Sequence, residues 1–281
     1  MSDGPMRRAA LWSLAIIAAI GIIGLAAVYG VSEWRMRRTY EAPLLPLLPA
    51  KPADPIAGEH MAKVVGCWAG CHGTVGEGGA ERIEGIRSIT APTLSQVLPP
   101  YSDEELARLV RYGVKRDGRS AVGMPANVFW PLGDQDLTNI FAHLRSQPAR
   151  SPVSRQRKLT LRGRLGLVTG EWKVSVEQVD RSLPRWGNLP RDTRYERGRY
   201  LASIVCSECH GLDFKGYALE GGPSLAILAA YDREQFRRLL RTARSFDGRM
   251  IARMDWMPDV GFTDAEADDI YEFLTRYHGL E

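Results

Sequence analysis

The sequence is short of cysteine, of histidine and of net charge, and each shortage closes off a class of protein. A chain of 281 residues carries four cysteines and five histidines, and its formal net charge is only +4. No long run of Lys and Arg with interleaved aromatics is present, so a nucleic-acid surface is not what organises the chain. Four cysteines allow at most two disulfides or one structural zinc. Both are poor fits. A histidine directly follows each cysteine pair, which disulfides do not require, and the two pairs lie too far apart in the chain to converge readily on one metal. Long hydrophobic runs are also scarce. One exists, at the N-terminus, and the rest has the composition of a globular protein, with 44% apolar and 25% charged residues over a length that suggests about two domains.

All four cysteines fall in two short stretches. The second, Cys206-Ser207-Glu208-Cys209-His210, has two thiols separated by two residues and a histidine directly after them. That is the attachment signature of c-type haem: the thiols bond to two positions on one edge of the porphyrin, and the histidine supplies the proximal iron ligand. The first, Cys67-Trp68-Ala69-Gly70-Cys71-His72, repeats the plan with one extra residue between the cysteines.

The long apolar run is Ala9 to Val31, which holds no charged residue. As a helix it spans ~35 Å, enough for the hydrocarbon core of a bilayer. A cleaved signal peptide is the alternative. The run exceeds the ~7–15 apolar residues of a signal core and no small-x-small site follows it, so a retained anchor over about residues 1–40 is the expectation. Trp12, Tyr29 and Trp34 lie near its ends, where amphipathic rings favour the interface. Counted by basic residues, Arg35, Arg37 and Arg38 after the run outweigh Arg7 and Arg8 before it and favour a cytoplasmic C-terminal side. Residues 41–55 hold Pro43, Pro46, Pro49, Pro52 and Pro55, a density that predicts an extended, semi-rigid spacer. The leucines between these prolines are unusual for a free linker and suggest packing on a partner or the bilayer surface.

The rest is an internal repeat. Tyr101-Ser-Asp-Glu104 recurs as Tyr231-Asp-Arg-Glu234, Arg108, Leu109 and Arg111 as Arg238, Leu239 and Arg241, and Asp117-Gly-Arg119 as Asp247-Gly-Arg249. Ile140, Phe141 and Leu144 match Ile270, Tyr271 and Leu274, and Pro92-Thr-Leu94 answers Pro223-Ser-Leu225 with a one-residue slip. Each copy reads as all-α. Helical apolar patterns precede each cysteine motif, at Ile56–Gly66 and Tyr195–Val205. Ser102 and Asp232 are N-cap candidates for a middle helix. A last helix starts at Thr263 or Asp264, and its counterpart runs from about Gly133 to Ser146. Three helices with long Gly- and Pro-rich loops make too little core for ~90 residues, which a buried porphyrin would complete. Residues 151–194 join the copies. They are basic, with Arg155, Arg157, Lys158, Arg162, Arg164 and Arg185, and Trp172-Lys-Val-Ser-Val176 alternates as a short strand would. They read as a solvated connector, or as a contact surface for a partner or anionic lipid.

The two motifs, their place near the start of each copy and the helical plan resemble class I cytochromes c, and more narrowly the membrane-anchored dihaem cytochromes c of bacterial respiratory chains. The resemblance covers about Ile56–Gln147 and Tyr195–His278 together with the anchor. It implies two tandem domains, 56–150 and 195–281, and two covalently bound haem c groups held by Cys67, Cys71, Cys206 and Cys209, with His72 and His210 as proximal ligands. The longer spacer of the first motif departs from the family pattern and bears on whether both thioether bonds form there. The family's sixth ligand is a methionine, often followed by proline. In the first copy the match is Met124-Pro125. In the second, Met257 precedes Pro258, whereas Met254 keeps the repeat's spacing: Asp117 to Met124 equals Asp247 to Met254, and Met124 to Asp134 equals Met254 to Asp264. Met254 is the expectation and Met257 the alternative. Met250 and Met61 read as gap-filling core methionines. His60, His143 and His278 read as surface or partly buried residues rather than ligands.

The resemblance further implies a periplasmic location for the haem domains on a single-pass inner-membrane anchor, against the arginine count. Iron ligated on both faces has no open position for substrate, which points to an electron-transfer protein and not an enzyme. Its partners would be a quinol-oxidising complex or dehydrogenase on one side and a terminal oxidase or other acceptor on the other. A dihaem peroxidase would need an open iron. A thiosulfate-oxidising cytochrome would need a cysteine ligand, and there is no fifth cysteine. A dedicated subunit of a larger respiratory complex would have the same chemistry.

Overall fold

The structure, a computed structural model, describes residues 4–68, 71–83, 87–154, 157–217 and 221–277. His278 and Arg155 of the sequence reading lie outside the described residues. The fold is mostly helical. Helix α1 (Gly4–Arg37) leads the chain, is long and apolar enough to cross a membrane, and leaves its large side chains from Leu11 to Leu25 exposed. The first half follows with α2 (Pro55–Val64), strands β1 (Gly79–Ile83) and β2 (Arg87–Ala91), a short α3 (Leu94–Val97), α4 (Asp103–Tyr112), a short α5 (Ala126–Phe129) and α6 (Asp134–Ser146). Strand β3 (Arg157–Leu159), α7 (Leu161–Thr169) and α8 (Ser175–Gln178) form the connector. The second half holds α9 (Arg194–Ile204), α10 (Ser207–His210), α11 (Arg233–Thr242), α12 (Met257–Val260) and α13 (Asp264–Arg276), with single 3₁₀ turns at Leu225–Ala230 and Ala252–Met254.

The helix starts are set by local chemistry. Asp54 accepts from the N–H groups of Ile56 and Ala57 with Pro55 at the first helical position. Reciprocal capping boxes join Ser102 to Glu105, Thr193 to Glu196, Asp232 to Gln235 and Thr263 to Glu266.

Each half is closed by its first and last helices. α2 packs on α6, and α9 on α13. Both crossings are backbone to backbone at a glycine. A Cβ on Gly58 would lie 1.9 Å from the Asn139 carbonyl oxygen, and one on Gly198 would lie 1.8 Å from that of Asp269. Between the crossings the halves keep one offset. Adding 130 to the bounds of α4 and α6 gives those of α11 and α13. The bridge Val114–Ser120 becomes Arg244–Met250. The bond from Ala121 N–H to Gly113 O (2.7 Å) becomes Ile251 N–H to Ala243 O (2.8 Å). The buried Arg111 guanidinium holds Asp134 at 2.6 Å, at the start of α6, and Arg241 pairs with Asp264 in the same way. Burial pushes the Asp134 carboxyl up, but the Arg111 guanidinium outweighs it and leaves the group below the usual carboxylate range.

The halves also touch one another. Tyr200 on α9 donates to Asp136 on α6 at 2.6 Å and accepts from the Gly133 N–H at 3.3 Å. His60 on α2 meets Glu266 on α13 at 2.7 Å. One apolar core runs through both.

The fold class is the helical one expected, and the few strands, β1, β2 and β3, form one antiparallel sheet in which β2 is central, with Ser88 opposite Lys158. Three finer expectations change. The strand of the connector is therefore Arg157–Leu159 and not Trp172–Val176. There, Trp172 turns back to donate from its indole to the Gly163 carbonyl (2.8 Å), Val174 is fully buried, and Ser175 begins α8. The proline segment is no stand-off spacer. The N–H groups of Leu48, Lys51 and Asp54 are taken by Asp134, Gln135 and Asn139 of α6, and Leu47 packs on the core. Proline has no N–H to donate, and three of the donors left between the prolines find side chains along a neighbouring helix. Nor is the connector merely solvated. Glu177 on α8 binds both Arg35 (2.8 Å) and Arg38 (2.7 Å) of the α1 terminus, and Arg164 on α7 donates to Ser32 at 2.7 Å.

Two outcomes are expected. Gly58→Ala and Gly198→Ala should each destabilise by about 1–3 kcal/mol or more, through a Cβ driven into a carbonyl, with a lowered Tm. Gly21→Ala on α1, where nothing lies within 4 Å, should leave Tm unchanged. The contact between the halves should depend on pH. The Glu266 carboxylate raises the His60 imidazole above its ordinary value. The stabilisation is then complete below the unfolded value of about 6.5 and is lost as pH rises through the folded one. Thermal unfolding of His60→Asn should therefore differ from the parent near pH 5.5 and converge with it near pH 9.

Candidate functional site

The second motif is a turn of helix. Cys206 caps α10, and the His210 N–H bonds to the Cys206 carbonyl at 2.9 Å. Positions three apart share a helix face, so Cys206 and Cys209 lie side by side, with the histidine one residue further round. Ser207 anchors the turn by donating to the Ser203 carbonyl at 2.6 Å. In the first motif α2 ends at Val64 and the Trp68 N–H reaches back to Ala62 O at 3.1 Å. The extra residue puts Cys67 and Cys71 four apart. Trp68 is buried edge-on against His143, with ring centroids 5.1 Å apart.

Each motif histidine is held the same way. His72 Nδ1 lies 2.9 Å from the Pro92 carbonyl oxygen, and His210 Nδ1 lies 2.7 Å from that of Pro223. A carbonyl only accepts, so Nδ1 carries the hydrogen and Nε2 is left as a free lone pair. Burial pulls both imidazoles below the ordinary histidine value and keeps them neutral. Both loops are tied by equivalent backbone bonds, Gly78 N–H to His72 O (2.8 Å) and Gly216 N–H to His210 O (2.7 Å). Gly222 lies so near the His210 ring that a Cβ there would be 2.4 Å from it. The first loop is seven residues longer between histidine and proline, and β1 and β2 fill the excess. The proline carbonyls are the functional groups that the sequence reading passed over. Pro92 and Pro223 were visible as a repeated Pro-Thr/Ser-Leu, but nothing in the spacing says that a carbonyl turns toward a histidine.

In the first half the candidate residues converge. Cys67, Cys71, His72 and Met124 all line one cavity of about 460 Å³, within the size range of small-molecule sites. Its walls are apolar: Leu94 and Leu98 from around α3, Phe129 of α5, and Ile140, Phe141 and Leu144 of α6. Lys115 and Arg157 bring positive charge to the lining, which no motif indicated. The set fits a flat apolar group bonded through two thiols, with a nitrogen and a thioether for an iron. Burial pushes the Cys67 and Cys206 thiols up to about 12 and also raises Cys209, so these three do not have the character of a catalytic thiolate.

In the second half Met254 ends a 3₁₀ turn, partly buried, its N–H on Ile251 O at 2.8 Å. Met257, at the start of α12, is 7% exposed within the core. Met250 is 52% exposed. His143 is buried beside Trp68 and is not in the cavity lining, and His60 is engaged by Glu266.

Residues 195–276 match the family model described as cytochrome c. This segment is a cytochrome c domain, which implies covalently bound haem c and haem-based electron transfer. A search of curated proteins finds no match to the chain.

Proposed function

We propose that the chain is a membrane-anchored dihaem cytochrome c: residues 56–150 hold one haem c through Cys67, Cys71, His72 and Met124, and residues 195–281 hold another through Cys206, Cys209, His210 and Met254. It passes single electrons in the periplasm, from a quinol-oxidising complex or dehydrogenase to a terminal oxidase or another acceptor. The observation that carries the reading for the first half is the cavity that brings Met124 together with Cys67, Cys71 and His72, more than fifty residues earlier in the chain. The second half adds the middle and last helices, α11 and α13, at the same offset from α4 and α6, and the same histidine–proline bond.

Haem supplies one-electron chemistry between ferric and ferrous states. The chain's own residues set the conditions for it. The carbonyls of Pro92 and Pro223 fix each imidazole with Nε2 free, which orients the ligand and increases its basicity. A thioether opposite histidine raises the potential. Leu98, Phe129 and Phe141 keep water from the first cavity. Met254 is favoured over Met257 because the constant offset holds on both sides of it, at Ile251 and at α13, so no residue is gained or lost between. Met257 is sequestered in the core, as Ala126 and Val128 are in the first half.

Haem counting tests the dihaem reading. A pyridine haemochrome should give two haems per chain that survive acid–acetone extraction, and one haem would remove the first motif as an attachment site. The ligands are tested by substitution. Met124→Ala should abolish part of the far-red sulfur-to-iron band and lower one potential, and Met254→Ala should abolish the rest and lower the other. Met257→Ala should leave the band intact and cost about 2–5 kcal/mol of stability through the cavity it opens. If Met257→Ala removes the band and Met254→Ala does not, the ligand loop shifts register between the halves.

A further inference from the structure

The connector helix α7 has one face that the fold does not use. Gly163, Gly166 and Leu167 are buried against α1 and Trp172, whereas Leu161 (45% exposed) and Leu165 (39%) stand one turn apart on the opposite side. The place of α7 in the fold says what that face meets. It packs on α1, and Arg164 fixes the depth: its guanidinium lies over the Tyr29 ring at 4.4 Å and donates to Ser32 at 2.7 Å. Arg35 donates to the Leu167 carbonyl. α7 therefore lies beside residues 29–35 of α1, where the uncharged run ending at Val31 gives way to charge. Around it stand the groups that favour the boundary between headgroups and acyl chains. Tyr29 and Trp34 are exposed aromatics, Lys158 of β3 is an exposed cation just before α7, and Arg162 on the first turn of α7 is exposed and paired with Glu171.

We propose that α7 is an interfacial membrane helix, lying in the headgroup–acyl boundary of the bilayer that α1 crosses, with Leu161 and Leu165 inserted among the lipids. This rests on the reading of α1 as a membrane span. It makes the connector a second point of membrane contact and seats the first half directly on the bilayer surface. Arg157, which lines the first cavity, also reaches Glu33 of α1 at 3.6 Å, so that cavity lies at the membrane end of the molecule.

The test uses the full haem-loaded chain in vesicles of phosphatidylethanolamine and phosphatidylglycerol. Photoreactive benzoylphenylalanine replaces Leu165, or Ile17 on α1, or Arg249, which lies far along the chain with its side chain 83% exposed. After irradiation, mass spectrometry reads the shift of one attached phospholipid. The expected result is a lipid adduct at positions 165 and 17 and none at 249. An adduct at 17 with none at 165 overturns the interfacial helix and leaves the anchor standing. No adduct at either position overturns the membrane span and this proposal with it.

Discussion

Each half depends on a close approach of backbones, where α2 crosses α6 at Gly58 and α9 crosses α13 at Gly198. Any side chain at those positions would enter the carbonyl of Asn139 or Asp269. The contact sets more than a distance. In a helix, residues three and four apart share a face, so turning Asn139 and His143 toward α2 turns Leu137, Ile140, Phe141 and Leu144 toward the cavity. The roll of one helix thus decides which residues wall the cavity of the first half. The Arg111–Asp134 pair, with the Arg111 side chain 2% exposed, pins the start of that helix. A buried pair of this kind adds little net stability but penalises every arrangement that separates it.

Much of this was legible in the sequence because it rests on local chemistry. The second cysteine motif is a single turn of helix, the capping boxes at Ser102, Asp232 and Thr263 are set by side chains three residues apart, and the 130-residue offset between α4 and α11 appears as plain identity of spacing. What escaped depends on chain segments meeting at long range. Arg157–Leu159 is three polar-flanked residues with no strand signature of its own, and it is a strand because Arg87–Ile89 offers an edge. Trp172–Val176 has the alternation but no partner edge, and burial of Val174 in a cluster with Met36 and Leu167 decides its course. The prolines of residues 43–55 suggest extended chain, but composition alone cannot reveal that α6 supplies acceptors along the way.

The arginines after α1 show how one residue type can answer to two demands. Counted as topology signals, Arg35, Arg37 and Arg38 point the following chain to the cytoplasm. In the fold Arg35 and Arg38 share Glu177, and Arg37 pairs with Glu33 at 2.5 Å. Arg35 and Arg38 are the clasp that binds the connector to the end of the helix, and Arg37 ties back within it, which gives all three a reason to be there that is independent of orientation.

The clasp is reinforced where the chain leaves α1. Thr39 bridges to Arg119, and the Tyr40 N–H bonds to the Gly118 carbonyl at 2.9 Å, within the loop that leads to Met124. A free proline spacer over residues 41–55 would extend about 45 Å and let its cargo sweep a hemisphere in search of partners. This junction gives up that reach. If, as proposed, the first half holds a haem and α1 crosses a membrane, a redox centre fixed so close to that anchor would have almost no search volume of its own. It would meet a partner either by sliding with it in two dimensions or by waiting for one to arrive, and always in a fixed orientation. The rate of electron exchange would then be governed by the crowding of its surroundings, and not by the flexibility of a tether.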